Sequence, residues 1–175
     1  MTQIDHNPRI VVMGVAGSGK TTIGSALAER LGLPYADADE FHPAANVAKM
    51  RAGHPLDDAD RCPWLDRLSA WIGEHEAAGR SAVLTCSALK RRYRDRLRVD
   101  HDSVWFARVD VPEAVLVERV AARSGHYMPS SLVHSQIADL EPLDCDEPGI
   151  TVPGIGDVDS VVDAVLAALA RDRRG

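Results

Sequence analysis

The sequence predicts an α/β fold in which a parallel β-sheet is covered on both faces by helices. Three observations carry this prediction. Short apolar runs alternate along the chain with amphipathic segments, the pattern of βαβ units. The strongest runs, "RIVVMG", "SAVLTCSA" and "SVWFARVDV", are apolar almost throughout, as strands buried on both faces must be. The first run also leads through a glycine-rich turn, "GVAGSGKTTIG", straight into a helical pattern. A chain of 175 residues with 45% apolar and 26% charged residues fits one globular domain over 1–175.

Each element follows in order. Residues 9–14 read as a buried strand, and 20–31 as a helix in which Ile23, Leu27 and Leu31 recur every fourth residue. Gly32 and Pro34 supply its stop. A brief extended piece is expected at 35–37, then a helix over 43–52 and a polar loop, "GHPLDDADRC". Pro63 is expected to open the next helix, whose Trp64, Leu65, Leu68, Trp71 and Ile72 share one face, with an end near Gly79. The strand at 81–88 precedes a basic helix over 90–99, and the third strong strand precedes a helix running from 112 to about 123. "GITV" is the last strand, and Val158, Val161, Val162, Val165, Leu166 and Leu169 mark a C-terminal helix. No internal repeat or low-complexity segment interrupts this order.

Composition excludes several classes. A formal net charge of -6 argues against non-specific nucleic-acid binding. The apolar runs are too short to span a membrane, and "MTQIDHNPR" lacks the apolar core of a signal peptide. Cys62, Cys86 and Cys145 are odd in number and in no metal-like spacing, so they read as reduced thiols of a cytoplasmic protein.

The glycine-rich turn is the strongest chemical signal. Gly14-x-x-x-x-Gly19-Lys20-Thr21 between a strand and a helix is the phosphate-binding loop pattern. Through Gly14, Val15, Ala16, Gly17, Ser18 and Gly19 the backbone turns its N–H groups inward, and the helix N-terminus behind adds partial positive charge. Lys20 reaches the β- and γ-phosphates of a nucleoside triphosphate, Thr21 offers a hydroxyl to magnesium, and Thr22 completes the run. The base-reading Asn-Lys-x-Asp motif of GTPases is missing, because Asn7 and Asn46 precede Pro8 and Val47. The catalytic-loop and magnesium motifs of protein kinases are missing too. A compact kinase for a small molecule remains. In "DADEFHP", Asp37 and Asp39 stand just beyond the second strand, where open α/β sheets place ligands. If the backbone there is extended, both carboxylates share a side, one for magnesium and one for the acceptor hydroxyl.

"GVAGSGKTT", "DADEFHP", "NVAKM", "GHPLDDADRCPWL", "CSALKRRYRDRLR" and "RSGHYM" occur in this order over roughly residues 9–142. Together they resemble the small bacterial-type gluconokinases of the shikimate-kinase-like P-loop family. The resemblance implies a P-loop three-layer sandwich: a five-stranded parallel sheet in nucleoside-monophosphate-kinase topology, with a mobile lid at about 124–136 and a substrate segment at about 37–65. It implies a homodimer, and the reaction of ATP and D-gluconate to ADP and 6-phospho-D-gluconate, with Mg2+ as cofactor. A kinase of the same fold with another acceptor, or a catalytically silent nucleotide-binding module, are the alternatives.

The resemblance also distributes roles. Asp39 orients the acceptor hydroxyl and Asp37 stands on the magnesium side. Gluconate is an anion with a chain of hydroxyls, and His42, Lys49, Arg61, Lys90 and Arg94 supply the cations and donors of its pocket. Ser87, after the second strong strand, borders the same cleft. Arg119 and Arg123, neighbours on one helix face, approach the adenine and the transferring phosphate, and His126 touches the substrate or caps the lid. The loop around Pro153 and Ile155 borders adenine. Lys20, Asp39 and Arg123 form the catalytic set for direct in-line transfer.

Overall fold

A computed structural model describes residues 7–122 and 131–172. The chain runs β1 (Arg9–Met13), α1 (Lys20–Leu31), β2 (Tyr35–Asp37), a 3₁₀ turn (Ala38–Phe41), α2 (Ala44–Arg51), α3 (Asp58–Ala77), β3 (Ala82–Cys86) and α4 (Arg91–Arg98). It continues with β4 (Val104–Asp110), α5 (Glu113–Ala121), α6 (Ser131–Asp139), β5 (Gly149–Pro153) and α7 (Val158–Asp172). Every strand pairing among the described residues is parallel, in the order β2-β3-β1-β4-β5. β1 is central, with Ile10 level with Val83 on one side and Trp105 on the other.

The period of two along each strand divides the core. Ile10, Val12, Val83, Trp105, Ala107 and Val109 face one layer, where Ile23 and Leu27 of α1 and Val162 and Val165 of α7 cover them. Val11, Met13, Leu84, Cys86, Val104 and Phe106 face the other, against Trp64, Leu65, Leu68 and Ile72 of α3 and Tyr93 and Leu97 of α4. Both faces are therefore buried, which is why these strands read as unbroken apolar runs. The expected three-layer sandwich is the observed one. Among the described residues no helix is long and apolar enough to cross a membrane.

Two elements depart from the expectation. α3 begins at Asp58, not at Pro63, because Asp57 and Asp60 form a capping box: Asp57 Oδ1 accepts from the Asp60 N–H at 2.9 Å, and Asp60 Oδ2 from the Asp57 N–H at 2.9 Å. Satisfying two orphan N–H groups, with acidic residues in the first turn, starts the helix earlier; Pro63 then costs one bond near its beginning. The segment 131–139 was expected partly as lid and forms helix α6, with Leu132 and Val133 buried. The rest of the expected lid, including His126, lies outside the described residues, as does Arg123 just before it.

Candidate active site

The carboxyl ends of β1, β2 and β3 open onto one cavity of about 350 Å³, beside the point where the strand order reverses. β1 ends in the glycine-rich loop. Gly17 and Gly19 have φ of 83° and 89°, left-handed values that favour glycine, and they allow the loop to fold back before α1 starts at Lys20. Lys20, Thr21 and Thr22, all in the first turn of α1, line the cavity, as does Ala16.

β2 ends at Asp37, which caps the 3₁₀ turn by accepting from the Asp39 N–H at 3.0 Å. The backbone is thus coiled rather than extended between the two acids, correcting that premise, yet both carboxylates still line the cavity. Asp37 Oδ2 also accepts from the Thr21 hydroxyl at 3.4 Å, so one carboxylate and the loop hydroxyl stand side by side. The Asp39 side chain is half exposed, and its Oδ1 lies 4.0 Å from His42 Nε2.

His42 packs flat on Trp64, with ring centroids 4.3 Å apart and planes at 13°. Trp64 is held in turn by its indole N–H, which donates to the Ala38 carbonyl at 2.7 Å. Asn46 donates to the Asp60 carbonyl at 2.9 Å through the same amide nitrogen that lies 3.4 Å from His42 Nδ1. His42 Nδ1 is therefore the acceptor and its proton sits on Nε2, facing Asp39. Burial, with the Arg61 cation beside it, pulls the imidazole down to about 4. Of the expected cations and donors, His42 is therefore a neutral donor.

Arg61 is positioned by the early start of α3. It is 7% exposed, its Nε donates to the Leu56 carbonyl at 3.4 Å, and its guanidinium lies 5.3 Å from the Tyr93 ring centroid. With Lys20 it supplies the positive charge among the described cavity-lining residues, and Ser87, just past β3, completes the polar wall. Met50, Leu56 and Leu132 form a small apolar cluster at the same cavity.

Three expected substrate cations lie elsewhere. Lys49 is paired with Asp60 at 2.5 Å and Asp57 at 3.7 Å, and the Asp60 carboxylate raises its pKa. Lys90 is paired with Asp139 at 3.1 Å, outside the cavity. Arg94 is wholly buried against Glu147. A basic motif does not reveal which of its cations point inward, and here the acidic residues of α3, α6 and the 141–147 segment claim them.

Arg119 lies behind the glycine-rich loop. Its Nη1 donates to the Gly17 carbonyl at 3.2 Å and its Nη2 to the Gly154 carbonyl at 3.0 Å, joining that loop to the one after β5. Both loops border a second hollow of about 360 Å³ that also includes Arg119, Gly156 and Val158. Gln136 is a residue sequence reasoning missed: its side-chain oxygen accepts from the Ala16 N–H at 2.8 Å, seating α6 on the loop. Only an amphipathic reading of 131–139 would have pointed to it.

The chain is similar to known proteins in sequence and fold. The AAA domain family matches residues 10–143. A gluconokinase from Gluconobacter oxydans is 48% identical over 166 residues, covering 94% of this chain and 93% of that protein. The crystal structure of a sugar kinase from Janibacter sp. superposes with a TM-score of 0.90 at 45% identity, over 96% of this chain and 97% of that one. A gluconokinase structure from Sinorhizobium meliloti gives 0.82 at 44% identity, over 94% and 92%. With relatives this similar over nearly its whole length, the chain belongs to the gluconokinase family of P-loop kinases.

Proposed function

We infer that the chain transfers the γ-phosphoryl group of ATP to D-gluconate, giving 6-phospho-D-gluconate and ADP by direct in-line displacement. The observation that carries this reading is the convergence of Lys20, Thr21, Asp37, Asp39 and Arg61 on one cavity. Lys20 and the N–H groups at the start of α1 neutralise the phosphate oxygens. Arg61, buried and with its Nη groups uncommitted among the described residues, pairs with the carboxylate end of gluconate. His42 Nε2–H and Ser87 hydrogen-bond acceptor hydroxyls. Asp39 orients the reacting hydroxyl and accepts its proton late in the transfer, when the oxygen has begun to bond to phosphorus.

The donor set also suits Mg2+. Thr21 Oγ1 and Asp37 are hard oxygen donors in neighbouring positions. Thr21 Oγ1 and Asp37 would hold the ion, which when bound would help to offset the charge of the phosphates. Arg119 sets the distance between the glycine-rich loop and the loop after β5, the side on which we place the adenine. Arg123 and His126 lie outside the described residues; on the family resemblance, Arg123 serves the transferring phosphate and His126 touches the substrate or caps the lid.

A coupled ADP-release assay over sugar acids, sugars, shikimate and nucleoside monophosphates tests it. Gluconate is expected to stimulate magnesium-dependent ADP formation far above glucose. Equal stimulation by glucose, or none by gluconate, removes the substrate assignment.

A further inference from the structure

Arg94 was expected at the substrate and does not reach it, yet its bonding is the most extensive in the α4 region. Its side chain and that of Glu147 are both 0% exposed. Nε and Nη2 donate to Glu147 Oε1 and Oε2 at 2.7 and 2.9 Å. Nη1 donates to the carbonyls of Ala88, Leu89 and Glu141 at 3.2, 3.2 and 3.1 Å, and Nη2 to that of Pro142 at 2.9 Å. Glu147 Oε2 also accepts from the Asp144 N–H at 2.9 Å. The turn after β3 is thereby tied to the segment that follows α6, and the Glu141 N–H adds a bond to the Leu89 carbonyl at 2.8 Å.

A buried ion pair is weak evidence of stabilisation in itself, since an apolar replacement is often as stable. Here an apolar replacement would leave four carbonyl oxygens without this donor. Lysine, with three donors and no fork, would not serve them all. What the pair holds is an unusual turn. Ala88 has φ 41°, a left-handed conformation rare for a residue with a side chain, and it is fully buried. The residue before it, Ser87, lines the cavity; Lys90, two residues after, is paired to Asp139 of α6.

We propose that Arg94 and Glu147 are positioning residues for the acceptor site: by holding the left-handed turn at Ala88 they fix Ser87 at the cavity wall. This rests on the reading of the cavity as the gluconate site. Arg94 touches no substrate; it acts through the backbone of residues 87–89.

The test uses the full-length protein. Glu147→Gln keeps the shape but loses the charge, and Glu147→Asp keeps the charge but breaks the fork and serves if the first variant does not fold. Either variant should raise the KM for gluconate about tenfold, the upper end for a neutral hydrogen bond such as that of Ser87, while kcat and the KM for ATP stay within about threefold. Adding Ala88→Gly, which relieves the left-handed turn, should bring the gluconate KM back toward wild type without restoring the thermal midpoint. Hydrogen exchange at residues 87–90 should accelerate relative to β3. A lowered midpoint with unchanged gluconate KM, or a KM rise that Ala88→Gly does not touch, overturns the proposal. Exchange that accelerates equally in β3 also overturns it. A wild-type protein that ignores gluconate sinks the functional reading instead, and the exchange pattern still decides whether the pair holds the turn.

Discussion

Asp37 and Asp39 stand two residues apart, and their neighbours divide their work. Asp37 is engaged by Thr21 and by the Asp39 N–H, whereas Asp39 keeps a half-exposed carboxylate beside the Nε2–H of His42. Asp39→Asn should therefore lower kcat by about 10²-fold, the low end for a positioned acid–base group, with ATP affinity within a few-fold of wild type. Lys20→Ala should weaken both nucleotide affinity and turnover. Near-normal turnover of Asp39→Asn at saturating gluconate would transfer the acceptor role to Asp37. Arg61→Gln should raise the KM for gluconate by about 10- to 100-fold, the range for a hydrogen bond to a charged group, and leave the KM for ATP alone. Steady-state kinetics with each substrate varied in turn would show it; an ATP effect as large as the gluconate effect would refute the pairing. His42 adds a pH signature. Its folded pKa is about 4, below its ordinary 6.5, so the unfolded chain binds more protons between these values and stability falls as pH drops from about 6.5 to 4. Denaturant midpoints at pH 7.5 and 5 should differ less in His42→Gln than in wild type. Equal differences would mean that His42 is not buried neutral.

Elements deliver these side chains. α3 starts at its acidic capping box, and that early start places Arg61 in the first turns beside the cavity. Asp57→Ala should cost about 1 kcal/mol, the usual worth of an N-cap, measurable by denaturant unfolding; an unchanged midpoint would show that the cap is dispensable. α6 spans the site, bonded to the glycine-rich loop through Gln136 and packed through Leu132 against Met50 and Leu56. We expect its amides to be less protected than those of the sheet in the free protein and to gain protection only when an ATP analogue and gluconate are both present. Unchanged protection on hydrogen exchange would rule out closure gated by substrate.

At the scale of the whole molecule, the site is the seam between two layers. α1, which carries Lys20 and Thr21, covers one face of the sheet, while α3, which carries Arg61, covers the other. Ligands that bridge the seam should stabilise the fold as a unit. A ligand at a hundred times its Kd contributes about 2.7 kcal/mol, or roughly 5–10 °C in the thermal midpoint of a domain this size. Gluconate added with a non-hydrolysable ATP analogue should raise the midpoint by about that amount beyond the analogue alone, and glucose should not. A glucose shift equal to that of gluconate would mean that the pocket does not read the carboxylate.

The amino-acid sequence by itself determined the layers and the nucleotide loop. Strands buried on both faces must be apolar throughout, and a loop that wraps phosphate needs its glycines at set intervals; both are local demands that leave a local trace. The Asp37–Asp39 pair was legible for the same reason, as was Ser87 at a strand end. Where each cation points was decided only by the tertiary structure. Lys49, Lys90 and Arg94 sit in motifs as basic as the one that holds Arg61, yet Asp60, Asp139 and Glu147 draw them away, and two of these acids lie dozens of residues further along the chain. The neutral state of His42 depends on Trp64 and Arg61 packing around it, and the bond from the Ala16 N–H to Gln136 joins residues 120 apart. Periodicity records what a residue asks of its own helix or strand; which charge it meets is a property of the folded chain, because ion pairs form between whatever side chains the packing of layers brings within a few ångströms.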